Sequence, residues 1–440
     1  MKRIILFGFI FLICKTVMPQ FVAMPLNFPW DTSAYLTYWT SIVDENTVWV
    51  GTAHQKSGGY APYSKAIKTS DGGDTWQFFD IPVMGQPWIQ HLSAWDSSIC
   101  YYLFTDGFAY GGAVWKTSDG GATWTKKTTT QFTGGWGDVV HAFSADTVVS
   151  IGDPTNGYLE VQFSPDGGDT WTRIPAADVP AALTGETGLS GDYCAVGNSI
   201  WFPTSKGRCF YSHDKGLHWG VAAVIDSYIR VSFSSEQSGI AIIPGSATHI
   251  YATSDGGATW NKKVPSVTIP LGSVCRVPGI SNGYIATTYD TTLTTVFFSD
   301  NGLTSCTVIE SGILNASFPN FKSPTIGWLG GGYRPINNIH KFIGTLTSVA
   351  EKTPVRGNLL ISPNPATGSI IISLPYSTGS GNQTGANNTV TISTLTGAEI
   401  MRTSIDGVST RMDITTLLPG IYLVKVTTAE GVFVGKVVRD

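Results

Sequence analysis

Thr69-Ser-Asp-Gly-Gly-Asp-Thr-Trp76 is the first copy of a phrase that recurs at nearly fixed spacing along this chain of 440 residues. Full or nearly full copies follow at 117–124, 164–171, 212–219 and 253–260, and a degenerate copy lies at 298–305. The aspartates of the six copies are Asp71, Asp119, Asp166, Asp214, Asp255 and Asp300. Steps of 41 to 48 residues between them are typical of a repeated array of small sheets rather than of one folded core.

Each residue type in the phrase suits a tight turn between two strands. An aspartate such as Asp71 accepts hydrogen bonds from backbone N–H groups that follow it, and Gly73 supplies a backbone angle that other residues avoid. Trp76 begins the next strand and buries a large apolar surface. Six carboxylates spread along the array cannot meet at one substrate, so we interpret the aspartates as structural rather than catalytic or calcium-binding.

The phrase resembles the Asp-box, or BNR repeat, of sialidases and related propellers. The alternation of an inner-strand phrase with Asp-Gly-Gly-x-Thr-Trp is also similar to the photosystem II assembly factor and to Vps10-like propellers. The resemblance implies an all-β, seven-bladed β-propeller over residues 30–350, with six blades and an irregular cap as the alternative. We expect a strand near 34–40 to complete the last blade, because closing the ring removes exposed sheet edges.

The composition changes after residue 350. A linker at 351–358 precedes Pro363-Asn364-Pro365, a turn at Gly397, Leu418-Pro-Gly-Ile-Tyr422 and Lys436-Val-Val438. In this order the four features resemble the C-terminal sorting domain of the type IX secretion system (Por) of Bacteroidota. The resemblance implies a small β-sandwich over 359–440, and it implies the secretion translocon as the partner of that segment.

The N-terminus predicts export as well. A short basic start and an apolar run over 4–13 read as a signal peptide, which we place at 1–23 with cleavage near Ala23. We expect no transmembrane segment in the mature chain, which is secreted or held at the cell surface. The formal net charge of −4 argues against nucleic acid as a partner. Cysteine spacing shows no metal motif, and we expect neither a metal nor another cofactor.

Five cysteines lie beyond the predicted leader, so at least one is unpaired. Cys194 with Cys209, and Cys275 with Cys306, each fall within one repeat and could bridge neighbouring strands. The alternative is that all of them, Cys100 included, are small buried apolar residues.

A ligand of a propeller usually lies over the central channel, on the face where the innermost strands begin. Aligning the inner-strand phrases places Tyr38, Trp88, Asp138 and Tyr228 at equivalent positions, and His91 and His141 follow three residues after the second and third. Loops on the same face add further polar and aromatic residues. The ligand-binding candidates are Tyr38, Trp88, His91, Asp138, His141, Tyr158, Tyr333 and Arg334.

Aromatic rings among a few polar groups suit the flat faces of sugars. We therefore predict a binding protein for a glycan or a cell-surface protein. The alternative is a sialidase- or xyloglucanase-like glycoside hydrolase acting on extracellular polysaccharide, which needs two carboxylates facing a cleft. Asp138 and Asp153 are the best such pair in the sequence.

Overall fold

The computed structural model divides the chain into two compact units, Met1–Ser348 and Val349–Asp440. It describes residues 20–28, 34–56, 59–61, 64–85, 87–106, 109–127, 132, 135–225, 227–264, 270–289, 292–314, 316–331, 338–347, 359–373, 389–394, 398–404, 409–427 and 432–440. The described residues form strands and turns without any helix, which confirms the all-β fold class. Accordingly, this part of the chain contains no helix that could cross a membrane.

The first unit contains seven antiparallel sheets in its described residues. The first strand of the chain is β1 (Phe21–Pro25). Sheet 1 contains β2 (Ala34–Ile42), β3 (Val48–Lys56), β4 (Gly59–Ala61), β5 (Lys65–Thr69) and β6 (Gln77–Asp80). Sheet 2 contains β7 (Pro87–Ala94), β8 (Cys100–Asp106), β9 (Ala109–Thr117) and β10 (Thr125–Lys126). Sheet 3 contains β11 (Gly137–Ala142), β12 (Val148–Thr155), β13 (Tyr158–Ser164) and β14 (Thr172–Arg173).

The remaining sheets of this unit follow the same order from the inside outward. Sheet 4 contains β15 (Cys194–Val196), β16 (Ser199–Pro203), β17 (Arg208–Ser212) and β18 (Gly220–Ala223). Sheet 5 contains β19 (Arg230–Phe233), β20 (Gly239–Ile242), β21 (Ile250–Thr253) and β22 (Asn261–Lys263). Sheet 6 contains β23 (Leu271–Arg276), β24 (Tyr284–Thr288), β25 (Leu293–Ser299) and β26 (Thr307–Leu314). Sheet 7 contains β27 (Ala316–Phe321), β28 (Gly327–Gly331), β29 (Asn338–Phe342) and, as its outermost strand, β1.

Apolar side chains fill the spaces between successive sheets. One cluster lies between each pair of neighbours, for example Trp49 with Tyr102 between sheets 1 and 2, and Leu26 with Trp328 between sheets 7 and 1. Burial of such side chains is the main force that holds sheets face to face. Because the contact between sheets 7 and 1 has the same character as the others, the array closes on itself.

The strand that completes the last sheet is not the one expected from the sequence. Residues 34–40 belong to β2, the innermost strand of sheet 1, whereas β1 pairs with β29 from Phe21↔Phe342 to Pro25↔Asn338. Alternation of apolar residues could not separate the two segments, because both have the pattern of a strand.

The repeated phrase forms the turn between the third and fourth strands of its sheet. In the first copy Asp71 Oδ1 accepts hydrogen bonds from Thr69 Oγ1 at 2.8 Å and from the backbone N–H of Thr75 at 2.9 Å. Gly72 N–H donates to the carbonyl of Asn46 at 2.9 Å. The turns of the repeated phrase therefore lie on the face where the innermost strands end.

The sixth turn corrects the predicted role of Asp300. Here Asn301 occupies the position of the box aspartate: its Oδ1 accepts from Ser299 Oγ and from Ser305 N–H, each at 3.0 Å. Leu303 takes the place of the second glycine and has φ of 60°. The sequence alignment missed this by one residue, because the turn is defined by its spacing from Ser299 and an amide oxygen accepts the same bonds as a carboxylate.

Within the described part of this unit the cysteines are free thiols, at Cys100, Cys194, Cys209, Cys275 and Cys306. Cys194 and Cys209 lie on β15 and β17, which β16 separates. Two strand spacings of about 4.8 Å each exceed the reach of a disulfide. Cys275 and Cys306 are likewise at opposite edges of sheet 6, so neither disulfide that the sequence allows is formed.

The second unit is a pair of small sheets around its own apolar core. One sheet contains β30 (Leu360–Ser362), β31 (Ser369–Ser373) and β34 (Ser409–Asp413). The other contains β32 (Thr389–Ser393), β33 (Glu399–Ser404), β35 (Gly420–Thr427) and β36 (Val432–Arg439). Asn364 joins the first motif of the unit to its last strand, since Nδ2 donates to the carbonyl of Lys436 at 2.8 Å and Oδ1 accepts from Val438 N–H at 2.9 Å.

Candidate functional site

The innermost strands of the seven sheets surround a cavity of about 600 Å³. Side chains and backbone from β2, β7, β11, β15, β19, β23 and β27 line it. Neighbouring innermost strands are tied by side chain to backbone hydrogen bonds, as from Ala94 N–H to Ser41 Oγ at 2.9 Å and from Ala142 N–H to Ser93 Oγ at 3.1 Å. The walls of the cavity are therefore held in place by the same bonds that join the sheets.

An aromatic cluster fills the side of the channel that faces sheets 1 to 4. The Tyr193 ring lies edge-on to His91 and to His141, with centroids 4.9 and 5.5 Å apart. Trp39 lies edge-on to His91 at 6.5 Å. The Trp39 indole also reaches Gly191, where a Cβ atom would be 1.8 Å from its Nε1. Only a glycine at position 191 leaves room for this indole. Trp39, His91, His141 and Tyr193 together form an aromatic wall on one side of the channel.

Both histidines of this wall are uncharged near neutral pH. Burial lowers the pKa of His91 to about 4, against the opposing effect of its contact with the Val140 carbonyl, 3.0 Å from Nδ1. Burial also lowers the pKa of His141 to about 3, and His91 adds to this effect. Desolvation disfavours the imidazolium form. These rings therefore act as polar but neutral surface.

An arginine with several partners holds the opposite wall together. Arg230 donates from Nε to Tyr228 Oη at 2.8 Å and from Nη1 to the carbonyl of Gly272 at 2.9 Å. Its guanidinium lies 5.0 Å from the centre of the Phe318 ring and pairs with Asp192, with Nε 3.3 Å from Oδ1. Asp192 also accepts from Tyr228 Oη. Because these contacts connect sheet 5 to sheets 6 and 7 and to the loop before sheet 4, Arg230 is mainly a positioning residue.

A second arginine in the cavity is differently placed. Arg276 is half-buried at the end of β23, and within the described residues its guanidinium makes no hydrogen bond or ion pair. Lys322, which is exposed, follows β27 in the neighbouring sheet and also lines the cavity. Asp192 is the one carboxylate among the described lining residues, so cationic groups exceed anionic ones there. Arg276 and Lys322 lie towards the face that carries the turns of the repeated phrase.

The equivalence that the sequence suggests between strands needs one correction. A bulge interrupts β2, β7 and β11 between Thr37/Trp39, Ile89/His91 and Gly137/Val139. The extra residues are therefore Tyr38, Gln90 and Asp138, and Trp88 lies two positions before Gln90. Alignment by residue type misses this shift because a bulge is defined by pairing with the neighbouring strand.

The structure brings together some of the candidate ligand-binding residues and separates others. His91 and His141 line the cavity. Trp88 instead packs edge-on against Trp136, with centroids 6.1 Å apart, and Tyr158 stacks on the Arg173 guanidinium at 4.4 Å. The side chain of Tyr38 and both Tyr333 and Arg334 lie outside the described part of the chain.

The candidate carboxylate pair lies outside this cavity. Asp138 is 2% exposed, and its Oδ1 accepts from Ser190 Oγ at 3.1 Å while its Oδ2 has no partner in the described structure. Burial raises the pKa of Asp138 well above its usual range, and the nearby Asp153 carboxylate raises it further. Burial also raises the pKa of Asp153, whose Oδ1 accepts from Gly188 N–H at 2.8 Å. Asp138 is therefore an enclosed acid that a polysaccharide cannot reach in this conformation.

Sequence reasoning missed the residues that define the cavity most clearly, namely Trp39, Tyr193, Arg276 and Phe318. The sequence could have indicated Arg276, because the equivalent positions on β2 and β27 are the apolar residues Ile42 and Phe321. Within the described residues, no three potential metal-ligating side chains are grouped closely enough to hold an ion.

Both units are similar to known proteins. Residues 360–439 match the family described as the secretion system C-terminal sorting domain. The structure "YCF48 bound to D1 peptide" is similar with a TM-score of 0.56 and 14% identity, over 75% of this chain and 97% of that chain. At such identity the similarity shows the fold alone.

Two further solved structures are similar at lower TM-scores. The GH74 xyloglucanase from Xanthomonas campestris has a TM-score of 0.47 and 13% identity, over 81% of this chain and 59% of that chain. The extracellular domain of a putative one component system from B. thetaiotaomicron has a TM-score of 0.47 and 10% identity, over 96% of this chain and 59% of that chain. No curated protein matches the sequence.

These findings define the class as an exported β-propeller protein. Its C-terminal unit is a type IX secretion sorting domain, and the protein is therefore delivered to the cell surface or the extracellular space.

Proposed function

We propose that this exported propeller is a binding protein whose ligand, a glycan or a protein segment, occupies the cavity in its central channel. The observation that carries the proposal is the cavity of about 600 Å³ with aromatic surface on one side and unbalanced positive charge on the other. Binding sites of this size commonly combine apolar walls with a few polar groups that orient the ligand.

Arg276 supports a ligand that bears an anionic group. A guanidinium has five N–H donors, and leaving them without protein partners in a half-buried position costs free energy unless a ligand or water accepts the bonds. Planar guanidinium groups bind carboxylates through paired hydrogen bonds. Trp39 and Phe318 provide ring surfaces near the same cavity.

The hydrolase alternative has weaker support. Hydrolysis of a glycoside by two carboxylates requires both to face the substrate, about 5 to 9.5 Å apart. Asp138 is enclosed, and Asp192 is already bonded to Tyr228 and Arg230. Binding without hydrolysis is therefore the function that this geometry favours.

A glycan array and a peptide array, both probed with the full-length secreted protein, test the proposal. Neutral and acidic members of each array show whether an anionic group is required. Arg276→Gln is expected to weaken capture at least tenfold, because a bidentate charged contact is worth about 1.5 to 3 kcal/mol. Lys262→Gln, on the exposed outer strand β22, is the matched control and should leave capture unchanged.

A second variant pair tests the aromatic wall. Trp39→Ala should reduce affinity, whereas Trp95→Ala, which removes an indole that is 45% exposed and outside the cavity, should not. Product formation in a parallel hydrolysis assay, lost in Asp138→Asn, would favour the enzyme alternative. Equal binding by all four variants would place the ligand elsewhere.

A further inference from the structure

The start of the described chain is built into the propeller as a structural strand. The backbone carbonyl of Gln20 accepts from Ile343 N–H at 2.9 Å, and β1 then pairs with β29 throughout its length. Phe21 is 5% exposed, and its ring lies 5.1 Å from that of Phe342. This pairing gives sheet 7 its fourth strand.

Glu310 receives the first N–H groups of this strand. Its Oε2 accepts from Phe21 N–H at 3.1 Å and also from the N–H of Gln20. Glu310 lies on β26, the outermost strand of sheet 6, so the carboxylate connects the start of β1 to the neighbouring sheet. A half-buried carboxylate in this position also suits the positive charge of a chain terminus.

The residues that follow β1 lock the segment to sheet 1. Leu26 is fully buried in the cluster between sheets 7 and 1, and the Phe28 ring lies 5.6 Å from that of Phe78. A Cβ atom on Gly73 of the first Asp-box would lie 2.9 Å from Met24 Cε. The segment 20–28 therefore contacts sheets 6, 7 and 1.

Cleavage near Ala23 is difficult to reconcile with this arrangement. It would remove Gln20 to Ala23, which means the buried Phe21 ring, three of the five paired residues of β1 and both bonds to Glu310. Only Met24 and Pro25 would remain opposite β29, and proline has no N–H to donate. The buried side of β29 and the surface around Phe342 would then face water.

We propose that the leader is removed on the N-terminal side of Gln20, and that Glu310 holds the beginning of the mature chain. The inference rests on the proposed signal peptide. In the reaction a leader peptidase hydrolyses one peptide bond: the hydroxyl of water completes the carboxylate of the leader, and its proton goes to the new α-amino group. If Gln20 is the first residue, its ammonium forms an ion pair with Glu310.

The position of cleavage is tested on the protein purified from the surface or medium of the producing cells, by N-terminal sequencing and intact mass. A first residue after the apolar run and no later than Gln20, within positions 14–20, is expected. A first residue at Met1, or at Phe21 or beyond, would overturn the proposal.

A second experiment does not depend on export. Two chains, beginning at Gln20 and at Met24 and otherwise running to Asp440, are released from a cleavable fusion made in the cytoplasm of a bacterial host. The Gln20 chain should unfold cooperatively, and the Met24 chain should melt more than about 5 °C lower or fail to fold. Equal melting temperatures would overturn the proposal, even if export itself were confirmed.

Glu310→Gln in the Gln20 chain isolates the role of the charge, since the amide keeps an acceptor of similar size. We expect a lower melting temperature than for Glu45→Gln, a control at an exposed hairpin residue. An equal melting temperature for both variants would contradict the assignment of Glu310. Retention of the full chain inside the producing cell would count against export, while the comparison of the two truncated chains would still decide this inference.

Discussion

Asn320 on the last innermost strand donates a hydrogen bond from Nδ2 to the backbone carbonyl of Thr40 on the first innermost strand, at 2.6 Å. These residues are 280 positions apart in the sequence. A second bond, from Gly331 N–H to Thr37 Oγ1 at 2.8 Å, lies beside it. The contact between sheets 7 and 1 is thus made by specific polar bonds as well as by apolar packing.

Loss of the Asn320 amide should therefore destabilise the closed array. We expect Asn320→Ala to lower the free energy of unfolding by about 1 to 2 kcal/mol, because the carbonyl of Thr40 loses a partly buried partner. Urea unfolding followed by tryptophan fluorescence measures this. Asn261→Ala, on an exposed strand position, is the control, and an equal effect for both would argue against a closing role for Asn320.

Substitutions in the sixth turn test whether Asn301 or Asp300 occupies the position of the turn aspartate. Asn301→Ala should lower the stability by about 1 to 2 kcal/mol, because it removes the acceptor for both Ser299 Oγ and Ser305 N–H. Asp300→Ala should have little effect, since the structure gives its side chain no bond in this turn. Thermal unfolding of the two variants decides which residue builds the turn; a larger loss for Asp300→Ala would support the register inferred from the sequence.

The box aspartates should make stability depend on acid pH. Hydrogen bonds from the hydroxyl and N–H of Thr75, and from Thr69, lower the pKa of Asp71 to about 2, and Asp119, Asp166 and Asp255 behave in the same way. In the unfolded chain an aspartate has a pKa of about 3.9. The stabilisation is therefore complete above about pH 4 and is lost as the pH falls towards 2.

Replacing these four aspartates by asparagine tests this dependence, because Asn301 shows that an amide can build the turn. The free energy of unfolding of the variant should change less between pH 4 and 2 than that of the unmodified protein. Ser70→Ala, at an exposed and non-titrating position of the first turn, should leave the slope unchanged. Identical slopes for the fourfold variant and the unmodified protein would contradict the prediction.

Asp138 should affect the pH dependence of stability in the opposite direction to the four turn aspartates. Because burial raises its pKa in the folded state, this residue destabilises the fold increasingly as the pH rises above about 4. Asp138→Asn keeps an acceptor for Ser190 Oγ and cannot ionise in either state, so we expect the variant to be more stable than the unmodified protein at pH 7.

The gain from Asp138→Asn should disappear near pH 4, where both proteins carry a neutral group. Denaturant unfolding at pH 4, 5.5 and 7 measures it. A variant that is less stable than the unmodified protein at pH 7 would show that the carboxylate is charged and stabilised by partners that this conformation does not have.

Much of the fold could be predicted from local chemistry. The glycines and threonines around Asp71 are typical of a tight turn. In that turn the Asp71 carboxylate accepts hydrogen bonds from residues no more than four positions away. The C-terminal motifs also predicted the second unit correctly. Asn364 is an example, because its side chain forms hydrogen bonds with the backbone of the last strand. Such interactions are local or lie within one small sheet, so their residue types reveal them.

The candidate site was less predictable because it depends on pairing between distant strands. Bulges at Asp138 and at Gln90 change which residues occupy equivalent positions on the innermost strands. No residue type predicts a bulge. Trp39 on β2 and Gly191 in the turn before β15 meet in the channel only because the array closes.

The sequence by itself determined the repeated turns, the all-β class and the sorting domain, because each depends on the chemistry of neighbouring residues. The tertiary structure decided which strand closes the array, which arginine has partners and which carboxylate is buried. Phe21, Arg276 and Asp138 acquire these properties from residues that are remote in the chain. Desolvation and partner geometry depend on what surrounds a group in space, and that is settled only when all the sheets have packed together.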